Sequence, residues 1–454
     1  MFKSVKKIHF VGIGGIGMSA IAEILLSEGF EVSGSDIAIS QNTEAIQKAG
    51  ATVLIGHRSE NIEGTDVVVY SSAVHIDNNP ETKAALEKGI PLIRRAEMLA
   101  EVSRLKYNLA ISGTHGKTTT TSMLGLILIN AGIDPTVIVG GRLRDFGGTN
   151  ARLGKGDWTI VEADEYDRSF LQLLPTIAIV NNIESEHLDI YKDYDDILNT
   201  FTEFANKVPF YGFVSMGLDD KGVKSILRKV NKKVVTFGLN KNADYRADNI
   251  VQNAMNLHCK VYEYDNYLGN LEINIPGIHN LKNALAAISV ARKMDIDKET
   301  IFKSLKEFKG VYRRFDIRGE KNNILVVDDY AHHPTEVKSC LNAATGFNRR
   351  IVAAFQPHTY TRTRDLYKEF AQSFDEADVL IVTDVYPARE TPIEGIDGKI
   401  IVNECIAMGH KNVVYIPTVN ELKDKIKEIL KPGDLFITIG AGNICDVAEY
   451  ICNN

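Results

Sequence analysis

The stretch Gly113–Thr121, G-T-H-G-K-T-T-T-T, joins a short apolar run, Tyr107–Ser112, to a segment in which Met123, Leu124, Ile127 and Leu128 recur at helical spacing. Run, turn and periodic segment read as strand, loop and helix. A glycine-rich turn at that junction exposes backbone N–H groups and aims the positive end of the helix dipole at whatever it holds. Lys117 adds a mobile positive charge for a terminal phosphate, and the Thr118 hydroxyl is placed to ligate a magnesium ion. The common form of such a loop has four residues between its first glycine and the Gly-Lys pair. Here Ile111 stands in that first position, and the loop is the shorter Gly113-x-x-Gly116-Lys117-Thr118. A plain glycine turn capped by threonines is the bland alternative. Strand, loop, lysine, hydroxyl and helix in that order make it a phosphate cradle.

The rest of the chain has the bulk to surround such a site. Its 454 residues imply about three domains at roughly 150 residues each. With 44% hydrophobic and 24% charged residues, each domain can bury a sizeable core. A formal net charge of −7 argues against a non-specific binder of nucleic acid or of anionic membranes, so anionic substrates must be held by local basic groups. Five cysteines without metal-type spacing point to a reducing compartment, hence the cytoplasm, and to no disulfide framework. The apolar runs break within about ten residues, short of the roughly 18 that a membrane span needs. Lys3, Lys6 and Lys7 before an apolar stretch resemble a secretory leader, but four glycines inside that stretch and Glu23 after it fit a strand–turn–helix better.

That N-terminal unit runs from a strand at Ile8–Val11 through Gly12-x-Gly14-x-x-Gly17 into a helix ending at Gly29. A second strand, Phe30–Ser35, ends in Asp36, about twenty residues after the fingerprint, as dinucleotide folds have it. Alternating units continue through Val67–Ala73 and Ile90–Ile93. The glycines allow backbone to approach a pyrophosphate, and Asp36 is placed to accept from a ribose hydroxyl. NAD, FAD and a UDP-sugar all carry both groups, so the motif leaves the nucleotide open, with a purely structural turn as the alternative.

Between Arg104 and Gly310, T-I-V-E-A-D-E (Thr159–Glu165) and I-A-I-V-N-N-I-E-S-E-H (Ile177–His187) are strands running into acidic or metal-binding side chains. Strand carboxyl ends share the ligand edge of an open parallel sheet, so Glu162 and His187 could converge near Thr118 on a divalent metal, a solvated loop carboxylate and a satisfied loop histidine being the alternatives. Magnesium prefers oxygen ligands, and the histidine leaves manganese possible. A helix near Asp195–Asn206 precedes a stretch, Asp244–Ile275, whose alternation and hairpin signals predict an antiparallel edge. The helix after Gly277 offers His279, Asn280 and Asn283 to a base or ribose, with simple capping by Asn280 as the structural alternative. Beyond Gly310–Asp316, strands are expected at Ile324–Tyr330, Ile351–Phe355, Val379–Val385 and Asp434–Gly440. The first two end in D-D-Y-A-H-H-P (Asp328–Pro334) and Q-P-H-T-Y-T-R-T-R (Gln356–Arg364), a local basic patch. Arginine forks there suit carboxylate or phosphate.

Taken together, G-I-G-G-I-G-M-S, G-T-H-G-K-T, V-E-A-D-E, H-N-x-x-N-A, Y-R-R-F, D-D-Y-A-H-H-P and F-Q-P-H-x-Y-T-R-T resemble the Mur ligase family, in its order and over essentially the whole chain. The resemblance implies an α/β protein of three domains. Residues 1–105 would form a Rossmann-like domain for a UDP-sugar. Residues 106–311 would form a P-loop mononucleotide-binding domain with a mostly parallel sheet. Residues 312–454 would form a Rossmann-like domain for the amino acid. It further implies that ATP phosphorylates the carboxylate of UDP-N-acetylmuramate and that the amine of L-alanine attacks the acyl phosphate. A recycling ligase that attaches a whole murein tripeptide to the same muramate is the near alternative.

Carried over by position, Lys117 would stabilise the moving phosphoryl group within a cradle of Gly113, Thr114, His115, Gly116, Lys117, Thr118 and Thr119. Thr118, Glu162 and His187 would ligate Mg2+, with Mn2+ possible. His279 and Asn283 would face the adenine side, with Arg314 and Asp329 approaching the nucleotide. Gly14, Gly15, Gly17, Ser19, Asp36 and Ser71 would hold the sugar nucleotide, and His332, His358 and Arg362 the alanine and muramate end. Some relatives carry arginine where this chain has Thr359. Against this stand a nicotinamide oxidoreductase, which leaves Gly113–Thr121 unexplained, and a nucleotide switch, which needs no third domain.

Overall fold

The computed structural model describes residues 5–71, 74–104, 106–140, 144, 151–186, 190–388 and 390–453. Three sheets organise them. The first contains β1 (Lys7–Val11), β2 (Glu31–Asp36), β3 (Thr52–Ile55), β4 (Val67–Tyr70) and β5 (Leu92–Arg94), ordered β3-β2-β1-β4-β5 and parallel throughout. The second contains β6 (Tyr107–Ser112), β7 (Thr136–Ile138), β8 (Ala151–Arg152), β9 (Trp158–Glu162), β10 (Ile177–Val180), β11 (Phe213–Gly217), β12 (Val234–Gly238), β13 (Tyr245–Asn253), β14 (Asn256–Glu263) and β15 (Asn266–Ile273). Its order is β15-β14-β13-β12-β11-β10-β6-β9-β7-β8. The third contains β16 (Asp316–Lys321), β17 (Ile324–Asp329), β18 (Ile351–Phe355), β19 (Val379–Val382), β20 (Val413–Tyr415) and β21 (Leu435–Ile439), ordered β16-β17-β21-β18-β19-β20. It is parallel except for the hairpin β16–β17.

The composition of each strand explains its place. β10 and β11 are buried along their whole length, as parallel strands covered on both faces must be. β14 alternates exposed and buried residues and links to β13 and β15 by two-residue turns, a connection only antiparallel neighbours accept. Helices begin where the sequence supplies a cap. Asn79 accepts from Glu81 and Thr82 N–H with Pro80 next in line, and Asp193 accepts from Asp196 N–H.

The chain divides into two compact units, one of residues 1–246, 263–266 and 283–304 and one of 247–262, 267–282 and 305–454. The first carries a core running from Ile8 and Phe10 to Phe201, Phe204 and Val214, with Phe170 stacked on Phe204 at 4.6 Å between centroids. The second packs both faces of the third sheet, Phe355, Phe370 and Phe374 on one side and Phe436, Leu422 and Ile426 on the other. Among the described residues no helix is long and apolar enough to cross a membrane.

Candidate nucleotide site and a second polar cluster

The phosphate loop follows β6, and its helix runs Lys117–Asn130. Gly116 caps that helix at φ +81°, and a Cβ there would meet the Asn283 amide oxygen at 2.3 Å. Gly113, at φ +135°, lies so close to Asn181 that a Cβ would sit 2.9 Å from it. Both positions therefore demand glycine, for conformation and for space alike. The asparagines after β10 set the loop's shape: Thr114 N–H donates to the Asn182 carbonyl at 3.1 Å and His115 N–H to Asn182 Oδ1 at 2.7 Å. Glu184 N–H donates to Thr114 Oγ1 at 2.9 Å.

Lys117 Nζ folds back on this loop, donating to the Gly113 carbonyl at 2.7 Å and to both carboxylate oxygens of Glu165 at 2.7 and 2.9 Å. Burial opposes its charge, but Glu165, Asp164 and Glu186 outweigh that and hold its pKa above the ordinary lysine value. Glu165 is 4% exposed, and burial pushes its carboxyl up to about 7 against the pull of Lys117. Tyr191 O–H donates to the Glu165 carbonyl at 2.5 Å. Sequence reading picked Glu162 from V-E-A-D-E and passed over Glu165, Asn181 and Asn182. The signal that could have found them is their place at strand carboxyl ends.

Glu162 ends β9, half-buried, in contact with the Thr118 hydroxyl and Gly140 N–H; desolvation raises its pKa and those contacts oppose the rise. Its Oε1 is buried without a hydrogen-bond partner. A buried carboxyl oxygen left bare, on a side chain that touches a hydroxyl, is the donor set a hard divalent cation fills, so Thr118 and Glu162 fit magnesium. His187 lies outside the described residues. Thr119 is buried in the first turn of the helix.

Around the first sheet, Gly12 N–H and Ile13 N–H donate to the Ser35 carbonyl at 2.8 and 3.0 Å. Asp36 accepts from Gly14 N–H at 2.8 Å and Ile37 N–H at 2.7 Å, so this carboxylate shapes the glycine loop itself. A Cβ on Gly14 would come within 2.8 Å of Asp36 and one on Gly17 within 2.8 Å of Arg95. Ser19 N–H donates to the Gly15 carbonyl at 2.9 Å, and Ser71 follows β4 with its Cβ 3.8 Å from where a Gly12 Cβ would be.

His279, Arg314, Asp329, His332, His358 and Arg362 belong to the second unit. His279 lies in the first turn of the helix Ile278–Lys293, its ring 2.4 Å from a Cβ built on Gly277. Asp329 is buried, and its two oxygens accept from Phe315 and Ala331 N–H at 2.7 Å each. Burial raises its pKa to about 6, with Arg314 opposing. Arg314 pairs with Glu336 at 3.5 Å and lies 5.4 Å over the Tyr330 ring. His332 packs edge-on to His358 at 5.8 Å, and His358 stacks on Tyr386 at 5.8 Å. Arg362 Nη1 lies 3.3 Å from His358 Nδ1. Burial first, then His332 and Arg362, hold the His358 pKa down at about 4, so its imidazole is neutral. In that pairing Nδ1 accepts and Nε2 carries the proton.

A strand–loop–helix cradle with a half-buried lysine, beside a hydroxyl–carboxylate pair, defines a nucleotide-phosphate-binding α/β protein. Family models match nearly all of it: "Mur ligase family, catalytic domain" over 7–107, "Mur ligase middle domain" over 111–291 and "Mur ligase, glutamate ligase domain" over 313–442. The chain belongs to the Mur ligase family. A UDP-N-acetylmuramate–L-alanine ligase of Geotalea uraniireducens is 51% identical over 452 residues, covering 99% of this chain and 98% of that one. One of Salinibacter ruber is 48% identical, covering 98% and 94%. The crystal structure of the UDP-N-acetylmuramate–alanine ligase of Thermotoga maritima superposes with TM-score 0.83 at 30% identity over 98% of each chain. A murein peptide ligase of Psychrobacter arcticus superposes with TM-score 0.71 at 26% identity, covering 99% and 98%.

Proposed function

We infer that this chain joins L-alanine to the carboxylate of UDP-N-acetylmuramate at the expense of ATP, through an acyl phosphate, in peptidoglycan precursor synthesis. The observation that carries it is the roughly half-identical, full-length match to ligases of that name, on a chain whose phosphate loop is intact. Lys117 stabilises the transferring phosphoryl group, exchanging its contact with Glu165 for phosphate oxygens. Thr118 and Glu162, with His187 by position, would hold magnesium, which supplies charge neutralisation between phosphate and carboxylate. Asn283, beside Gly116, supports the nucleotide end; His279 and Arg314 are assigned to the nucleotide by their position in the family's motifs alone. Asp329 acts by bracing the turn that carries His332. Arg362, His358 and His332 take the alanine and muramate end. A neutral His358 there leaves the attacking amine no extra cation to overcome. The sugar nucleotide lies on residues 1–105, ATP on 106–311 and the amino acid on 312–454. The reaction belongs in the cytoplasm, where all five cysteines stay reduced.

The test is phosphate release from ATP with each substrate in turn. Release should need UDP-N-acetylmuramate together with free L-alanine, and some turnover with glycine or L-serine is expected, since one methylene is worth only about 1–3 kcal/mol. Fast release with an L-Ala-D-Glu-containing tripeptide and none with alanine would assign the chain to the recycling ligases instead.

A further inference from the structure

Glu81 is a buried carboxylate that the chemistry above does not use. It lies in the first turn of the helix Pro80–Glu87, its side chain wholly buried. Burial would raise its pKa, yet contacts from His9, Ser35 and Asn61 hold it at about 2, so it is ionised at neutral pH. Ser35 O–H donates to Oε2 at 2.5 Å, and His57 Nδ1 lies 3.3 Å from the same oxygen. Oε1 accepts from Arg58 N–H at 3.3 Å and from the Asn61 amide. One charge thus draws together β2, the loop after β3 and the helix it sits on.

What it draws on leads to the glycine loop. Ser35 is the residue whose carbonyl takes the N–H groups of Gly12 and Ile13, and its neighbour Asp36 takes that of Gly14. Three consecutive backbone groups of the loop therefore depend on where the end of β2 stands. Ser35 and Glu81 are both fully buried, so neither touches a substrate.

We propose that Glu81, acting through the Ser35 hydroxyl, is a positioning residue that sets the Gly12–Gly14 loop for the pyrophosphate of the sugar nucleotide. The inference rests on reading that loop as the UDP-N-acetylmuramate site. It is tested by steady-state kinetics of Glu81→Gln, Ser35→Ala and the double variant, varying each of the three substrates. KM for UDP-N-acetylmuramate should rise about tenfold in each, the size expected for one charge-assisted hydrogen bond. KM for ATP and for L-alanine, and kcat, should stay within about twofold. The double variant should be no worse than the worse single one, because both break the same link. Ser35→Ala removes one hydroxyl and leaves Glu81 its bonds to Asn61 and Arg58, so it decides the matter if Glu81→Gln fails to fold. A folded Ser35→Ala enzyme with unchanged KM for the sugar nucleotide overturns the proposal. So does a parallel rise in all three KM values with a fall in melting temperature, which is what a merely structural residue would give. Calorimetry on the wild-type chain separates the two readings. No binding of UDP-N-acetylmuramate removes the site and the proposal together, whereas binding with an unaltered Ser35→Ala removes the proposal alone.

Discussion

Half-buried Lys117 pairs with buried Glu165 at 2.7 Å, so removing the lysine does more than remove a catalytic charge. Lys117→Ala should lower kcat by about a thousandfold, the scale of losing a charge partner of the transferring phosphoryl group. It should also lower the melting temperature, because the buried Glu165 carboxylate loses the cation that faces it. The sign with pH follows from Glu165, whose folded pKa of about 7 exceeds its ordinary 4.5. Between those values the native state holds a proton that the unfolded chain has lost, so stability falls as pH rises. Without Lys117 the upper edge of that window moves higher, and the variant should melt relatively worse at pH 8 than at pH 6. Adding Glu165→Gln should restore the melting temperature without restoring turnover, which thermal scans and phosphate release together check. Glu162 behaves differently, its Oε1 bare while its carboxyl group touches Thr118. Glu162→Gln should raise the magnesium concentration for half-maximal rate, while Glu165→Gln should alter the rate at saturating magnesium. A magnesium titration in which the two variants behave alike would reassign the ligand.

The helix Tyr360–Ala371 shows how one element sets a local environment. Its N-cap, Thr359, has φ +66° and ψ 142°, a region that only glycine enters freely. The conformation is imposed from outside: Thr359 N–H donates to the Tyr386 carbonyl at 2.9 Å, and Tyr386 N–H donates to that of Pro357 at 2.8 Å. Thr359→Gly should therefore gain roughly 1 kcal/mol, relief of strain exceeding the added freedom of the unfolded chain, and a higher denaturation midpoint would register it. The same turn places His358 between His332, Arg362 and Tyr386. Its pKa drops from an ordinary 6.5 to about 4, so the unfolded chain binds a proton across that interval and the native one does not. Stability should decline as pH falls from 6.5 toward 4, and His358→Gln should flatten that decline in urea titrations.

At the scale of the molecule, the two units each have their own buried core, and the single tryptophan, Trp158 on β9, belongs to the first. Tryptophan fluorescence thus reports the unit that carries the phosphate loop, while circular dichroism reports both. ADP with magnesium at about a hundred times its dissociation constant should stabilise that unit by about 2.7 kcal/mol. The fluorescence midpoint in urea should shift accordingly, and an unshifted midpoint would place the nucleotide elsewhere.

Features whose cause is local were legible in the chain: the loop at Gly113–Thr121, the fingerprint at Gly12–Gly17, parallel strands such as β1, β6, β10 and β18, and the hairpins of Asp244–Ile275. A turn's glycine, a helix's cap and a strand's alternation act over a dozen residues, and their pattern is written at that range. β3, β11 and β12 went unread although apolar, and the polar β16 and the three-residue β20 escaped because neither has an apolar run long enough to stand out. The tertiary structure alone decided which carboxylate meets which partner. Glu165 stands 48 residues from Lys117, Asn283 far beyond Gly116, and Glu81 46 residues from Ser35. Such pairs arise because crossover connections return each strand's carboxyl end to one edge of a sheet. A buried charge must then take whatever partner that edge presents, and burial together with those neighbours sets its protonation.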